Sequence, residues 1–247
     1  MTFTAGNKRE RLIHFWSARA SHHEERLAKM RAQAELLRPQ PGLVWLMLLQ
    51  SAATMGSSSG WDGLFGSPIL QTLITFNAVD AIRPKLRASY MAPILQTASV
   101  RWPRQKAEAL AKNHIIISGL GGEVAARQTA LASPTRDAKM AFMNQFHGIG
   151  DKYARNVWMD LWDPDFHDAI AYDQRLKKIG EALGARLTSY VSAEQYFTEI
   201  ARESGRTPWE VDRLLYHFSG DALDAIAGRA NKDLQPTAAG ERVRRRG

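Results

Sequence analysis

Two residues 21 positions apart have side chains suited to chemistry. Lys152 lies in Phe146-His147-Gly148-Ile149-Gly150-Asp151-Lys152-Tyr153-Ala154-Arg155-Asn156-Val157. Asp173 lies in Asp168-Ala169-Ile170-Ala171-Tyr172-Asp173-Gln174-Arg175-Leu176-Lys177-Lys178-Ile179-Gly180. In the first segment two glycines flank one apolar residue between two helical patterns, which predicts a very tight hairpin. Glycine reaches positive φ and lets another backbone approach closely. Ile149 should plug the space between the two helices, while Ala154 and Val157 pack the second against the first. Gly150 and the residues after it then point N–H groups outward at a helix start, and such a terminus binds phosphate without reading a base. His147, Gly148, Gly150 and Lys152 are the residues expected at that phosphate. In the second segment a short apolar approach leads to one aspartate and an amphipathic helix ending at Gly180. Asp173 would begin that helix, where backbone N–H groups can hold its carboxylate. An unprotonated lysine amine is a nucleophile, and a fixed carboxylate stabilises positive charge developing beside it.

Helices must position these groups, and the apolar residues recur at helical spacing with little period-2 alternation. Lys8 to Arg38 reads as one or two amphipathic helices ending at Pro39. Leu43 to Thr54 reads as a buried helix, and Gly56-Ser57-Ser58-Ser59-Gly60 as a flexible loop. Weaker helical signals run from Ile69 to Ser89, broken at Pro84. Pro103 suits the first turn of a helix carrying Lys106, Leu110 and His114. Gly119 to Gly122 forms a turn, and Glu123 to Ala132 a helix. Ser133-Pro134 starts a helix to about Phe146, with Ser133 as its cap, and Thr207-Pro208 repeats that signal before Trp209 to Phe218. The fold class is all-α, with roughly eight to eleven helices on this spacing. No glycine-rich stretch follows a strand, which excludes Rossmann and P-loop sites.

The chain has 247 residues, no cysteine and a formal charge of +8. Without cysteine there are no disulfides, thiolate zinc sites or Cys-ligated iron–sulfur clusters. Its longest clean apolar run, Leu43 to Leu49, falls far short of the roughly 20 residues that span a bilayer. Lys8, Arg9, Glu10 and Arg11 stand where a secretory signal needs an apolar core. A cytoplasmic protein with no membrane partner is expected. Residues 229–247 hold six basic and two acidic residues, half of the net charge, and few large apolar ones; a disordered basic tail is expected there.

The hairpin resembles the helix-hairpin-helix motif of DNA-binding proteins, matched at Gly148, Ile149, Gly150, Lys152, Ala154 and Val157, with His147 where a proline is usual. With Asp173 it resembles the catalytic half of the helix-hairpin-helix (HhH-GPD) DNA glycosylase superfamily, over residues 40–220. Arg104-Gln105-Lys106-Ala107-Glu108-Ala109-Leu110 is similar to a helix that the family places before its hairpin. Asp163-Pro164-Asp165 is all that remains of the family's Gly/Pro-rich linker. The resemblance implies a two-lobed all-α fold with the active-site cleft between lobes. One lobe would be a helical bundle over 43–157, and the other 1–42 plus 158–228, leaving the tail 229–247. It also implies roles for the pair. Asp173 would stabilise oxocarbenium character at C1′ as an N-glycosidic bond breaks. Lys152 would attack C1′, and the resulting Schiff base would allow β-elimination: a glycosylase with abasic-site (AP) lyase activity on double-stranded DNA, working as a monomer.

Lack of cysteine excludes the family's iron–sulfur branch, and a lysine in the hairpin argues against the monofunctional alkylated-base branch. The 8-oxoguanine side remains, including its compact archaeal-type form. By that comparison Gln50, Asn156, Asp212 and Tyr216 would form the base pocket, with Trp61 or Trp209 as a stacking wall. Asn156 departs from the residue types expected at its position. An oxidised purine such as 8-oxoguanine is the expected substrate, and a hypermodified cytosine of phage DNA, removed in defence, is compatible with the same residues. A non-catalytic DNA-binding module using the hairpin as a phosphate clamp is the reading of another class. No metal is expected, since His22-His23-Glu24-Glu25 lacks the spacing that puts two ligands on one helix face. No cofactor is expected either, although hairpin carbonyls could hold a monovalent cation, as in related glycosylases. Arg175, Lys177 and Lys178 read as a solvated helix face that could line the DNA side.

Overall fold

A computed structural model describes residues 8–56 and 59–229, and all regular structure among them is helical. The helices are α1 (Lys8–Ser17), α2 (Ser21–Leu37), α3 (Leu43–Thr54), α4 (Ser59–Phe65), α5 (Pro68–Leu73), α6 (Phe76–Asp80), α7 (Arg87–Thr97) and α8 (Pro103–Gly119). They continue with α9 (Glu123–Leu131), α10 (Arg136–Asn144), α11 (Asp151–Asp160), α12 (Gln174–Leu183), α13 (Tyr190–Glu203), α14 (Pro208–His217) and α15 (Ser219–Ile226). Short 3-10 turns occupy Pro84–Leu86, at the predicted break, and Pro164–Phe166. Among the described residues no helix is long and apolar enough to cross a membrane. The predicted tail lies outside the described residues except for Arg229, which pairs with Asp224.

Contacts divide the chain into two compact units, a central one of residues 30–166 and a terminal one combining 1–29 with 167–247. The predicted division was at 42/43 and 157/158; residues 30–42 and 158–166 carry Arg38, Asp163 and Asp165, which form an ionic cluster with Lys139 of α10. Asp163, only 3% exposed, accepts from Arg38 Nη2 at 2.9 Å and from Lys139 Nζ at 2.7 Å. Lys139 also donates to Asp165 at 2.8 Å. The end of α2 and the Pro164–Phe166 turn are thereby drawn onto α10. Burial works against the Lys139 charge, but Asp163 and Asp165 outweigh it and raise the lysine above its ordinary range.

In the central unit α3 buries Leu43, Val44, Trp45, Met47, Leu48, Leu49 and Ala53. A helix apolar on all sides belongs in a core, and α4, α8, α9 and α11 pack around it. Ser59 and Gly60, predicted as loop, instead open α4. A Cβ on Gly60 would sit 2.7 Å from Ala53 O and 2.8 Å from Val100 Cγ2, so close approach to α3 demands the glycine. α10 is capped by Thr135, whose hydroxyl accepts from Ala138 N at 3.1 Å. The predicted cap, Ser133, instead donates to Thr129 O.

The terminal unit packs Leu12, Phe15, Trp16, Phe197, Ile200, Trp209, Leu214 and Ile226 as its core. Buried Arg206 donates to Trp16 O and to Glu24, each at 2.8 Å, tying the α1–α2 corner to the start of α14. Thr207 and Glu210 form a capping box at α14, as Thr207-Pro208 predicts. α12 ends not at Gly180 but at Gly184, which takes the left-handed conformation with φ +76°. Gly180 is a glycine because Leu187 Cδ1 would lie 2.6 Å from a Cβ there.

His217 accepts from Arg26 Nη2 at 2.8 Å. Burial, followed by Arg26, Arg213 and Arg175, pushes its pKa down to about 4.

Two stability measurements follow from these contacts. Asp163→Ala takes one of two carboxylates from buried Lys139 and removes the carboxylate that pairs with half-exposed Arg38, and should lower unfolding free energy by about 1.5–3 kcal/mol, read by urea denaturation. Combining Asp163→Leu with Lys139→Met should restore most of it. His217 binds its proton near pH 6.5 when unfolded but only near pH 4 when folded, so stability present above pH 6.5 is lost as pH falls through that window. His217→Gln should flatten the fall in Tm between those values; an unaltered slope removes His217 as its cause.

Candidate active site

α10 and α11 form the predicted hairpin, with Gln145 to Gly150 between them. Gly148 takes φ +83°, and little but Ala109 lies near a Cβ there, so backbone conformation and not crowding selects the glycine. Phe146, 2% exposed and against the Phe142 ring, is the buried apolar residue at this turn. Ile149 is half-buried instead, because its side chain turns toward α3 and α8. Ala154 and Val157 are buried as predicted. Gly150 precedes α11 in extended conformation, and no side chain caps the helix. An uncapped start leaves main-chain N–H groups of the first turn without intrahelical partners.

Asn113 on α8, which no local pattern picks out, holds this loop. Its side-chain amide donates to His147 O at 3.0 Å and accepts from His147 N at 2.7 Å. Across the hairpin Asn144 donates to Asp151 at 2.7 Å. The His147 side chain itself is exposed.

Lys152, Asn156 and Asp160 recur every fourth residue along one face of α11. Lys152 is half-buried, its amine 5.5 Å from the Tyr153 ring centroid, and no carboxylate among the described residues pairs with it. Asn156 donates to Asp160 Oδ2 at 3.2 Å, and Gln50 from α3 reaches the same oxygen at 3.5 Å. Two of the four predicted pocket residues are thus gathered on a carboxylate that the sequence did not single out.

The other two lie in the terminal unit with Asp173. Asp173 is the N-cap of α12, and its Oδ1 accepts from the main-chain N–H groups of Arg175 at 2.8 Å and Leu176 at 3.1 Å. The Arg175 guanidinium lies 3.5 Å from Asp173 Oδ2 and stacks 4.0 Å from the Tyr216 ring centroid. Arg175 therefore joins Asp173 to Tyr216 and is not merely part of a solvated run; Lys177 and Lys178 are exposed. Asp212 is buried, accepts from Ala171 N at 2.8 Å and faces Arg213. It anchors the approach to Asp173 and does not present a carboxylate to solvent. Tyr190 completes that anchor, donating to Ile170 O at 2.7 Å and accepting from Tyr172 N at 3.2 Å. An irregular segment must satisfy its backbone groups somewhere, and these two side chains do so. Trp209 is buried in the core and provides no stacking wall, whereas Trp61 is half-buried against Phe65.

No protein-family model, curated protein or solved structure matches the chain. Its chemistry therefore rests on the side chains themselves.

Beside the hairpin the central unit holds a cavity of about 380 Å³, lined by Leu48, Met55, Trp102, Lys106, Ile149 and others. The Lys106 amine donates to Met55 O at 2.9 Å. Burial, and then Arg101, lowers its pKa to about 8. Lys106, which the sequence reading placed only on the helix before the hairpin, thus carries an amine that gives up its proton more readily than an ordinary lysine.

Asn113→Ala would leave both main-chain groups of His147 without their partner. A loss of about 1–3 kcal/mol is expected, seen as faster amide hydrogen exchange confined to residues around 147–152. Uniform exchange throughout the central unit would instead mean that Asn113 supports the whole bundle.

Proposed function

We propose that the protein is a DNA glycosylase with AP lyase activity, acting as a monomer on duplex DNA in the cytoplasm. The observation that carries this is the placement of Lys152. It sits in the first turn of a helix whose N-terminus a glycine hairpin leaves uncapped, so main-chain N–H groups of the kind that take phosphate lie beside an amine that could attack a sugar.

In this scheme the hairpin amides take a backbone phosphate, and the modified nucleotide leaves the base stack. The Lys152 amine adds to C1′ through its electron pair as the C1′–N bond to the base breaks, and the base departs carrying that bond's electron pair and the amine's proton. The family resemblance assigns to Asp173, whose carboxylate its helix-start amides hold in place, the stabilising of positive charge that builds on the sugar. Ring opening gives a Schiff base between Lys152 and C1′. Loss of a 2′ proton then expels the 3′ phosphate by β-elimination. Gln50 and Asn156, gathered on Asp160, would contact the base. An oxidised purine such as 8-oxoguanine is the substrate proposed.

Borohydride trapping on a panel of duplexes containing 8-oxoguanine, an abasic site or glucosylated hydroxymethylcytosine tests this directly. Wild type should give a covalent adduct that Lys152→Gln abolishes and Lys106→Gln retains. An adduct lost in Lys106→Gln but kept in Lys152→Gln would move the nucleophile to the cavity. Asp173→Asn should bind the same duplex while base release slows by about 10²-fold or more, the range for loss of one electrostatic stabiliser. Salt-dependent binding with no product on any duplex would identify a phosphate clamp instead.

A further inference from the structure

Away from the hairpin, the terminal unit gathers two histidines and a carboxylate that no step above uses. α2 opens with Ser21-His22-His23, and α15 with Ser219-Gly220-Asp221. One ligand atom from each of His22, His23 and Asp221 lies within 4.8 Å of the other two.

His23 makes this more than a chance cluster. It is 0% exposed, and neither ring nitrogen has a hydrogen-bond partner. Native interiors pair nearly all buried polar atoms, so an imidazole left wholly unsatisfied calls for an explanation. Phe15, Trp16 and Phe218 surround its ring with centroids 5.3, 5.2 and 4.6 Å away, closing the apolar sides. His22 meets it edge-on at 4.1 Å. Arg206 is the nearby cation that would oppose a metal, and Glu24 already pairs with it at 2.8 Å.

We propose that His22, His23 and Asp221 bind a divalent transition-metal ion of the zinc, cobalt and nickel class. Two imidazole nitrogens and one carboxylate oxygen suit those ions, whereas magnesium and calcium prefer all-oxygen sets. Bonds of about 2.0–2.2 Å require the three atoms to draw together. His22 is exposed and Asp221 half-exposed, so both have room to rotate onto the fixed His23. Three protein ligands leave a fourth position for water. The ion would fasten the start of α2 to the first turn of α15, residues nearly 200 positions apart. His22-His23-Glu24-Glu25 conceals this site from sequence because its third ligand is not local. The inference is independent of any glycosylase activity.

The test uses full-length, untagged protein stripped with chelator, titrated with zinc by calorimetry and with cobalt by visible absorption. One ion per chain is expected, with a Tm rise on binding and no competition from excess magnesium. His22→Gln and Asp221→Asn, at accessible positions, should each weaken zinc binding by roughly tenfold or more, as His23→Phe should if it folds. Absence of stoichiometric binding overturns the proposal. So does affinity unchanged in His22→Gln or Asp221→Asn, which would place the ion on other histidines, or equal binding of magnesium.

Discussion

The hairpin depends on one buried ionic contact at its far end, Asp163 with Lys139 and Arg38. Lys139 is on α10 and Asp163 follows α11, so the pair closes the two helices at the end opposite the glycines. Trp158 on α11 adds a parallel tie, donating to Lys139 O at 3.0 Å. At the glycine end Asn113 holds His147, and Asn144 holds Asp151. Desolvating two charges can outweigh their attraction unless the remaining lone pairs and protons are satisfied. Here both Asp163 oxygens take a cation, and Lys139 has a second acceptor in Asp165. The geometry that favours such a pair is therefore met, and its value lies in fixing one arrangement of two helices.

What the sequence revealed divides by locality. Helix α3 was legible to the residue, since an apolar run needs no partner to declare itself. Thr207-Pro208 and the Gly148–Gly150 turn were legible for the same reason: cap and hairpin chemistry is written within a few positions. Gly60 and Gly180 misled because each was read as a local breaker, while the one lies in the first turn of α4 and the other inside α12, where another segment comes too close for a Cβ. Asp163 misled in a different way. As a fragment of a Pro-containing linker it looked incidental, and only Arg38 and Lys139, from 125 and 24 residues away, make it an anchor.

The same distinction runs through the site. Lys152, Asn156 and Asp160 share a face of one helix, so their association was readable from spacing except for the last member. Asp212 and Tyr216 are also four apart, yet they part company: Asp212 turns to Ala171 N, while Tyr216 stacks under Arg175. Helical spacing says which residues share a face, not which of them a neighbouring segment has already engaged. Arg175 shows the converse. It looked like one cation among three, and gains a role only because Tyr216 and Asp173 lie on either side of it.

Three lysines of the central unit show how surroundings settle what an amine can do. Lys139 is buried and faces two carboxylates, which raise its pKa and commit it to structure. Lys106 is buried with Arg101 nearby and only a carbonyl as acceptor, so burial prevails and its pKa falls to about 8. Lys152 is half-buried, on the helix that the hairpin aims, and pairs with no carboxylate among the described residues. A reactive lysine needs access to its electrophile as much as a free electron pair. Lys106, its pKa lowered to about 8, holds its amine against Met55 O in an apolar wall. Lys152 does not line that cavity of about 380 Å³ and sits instead in the first turn of α11 beside the glycine turn, so the fold separates the two amines by position as well as by surroundings.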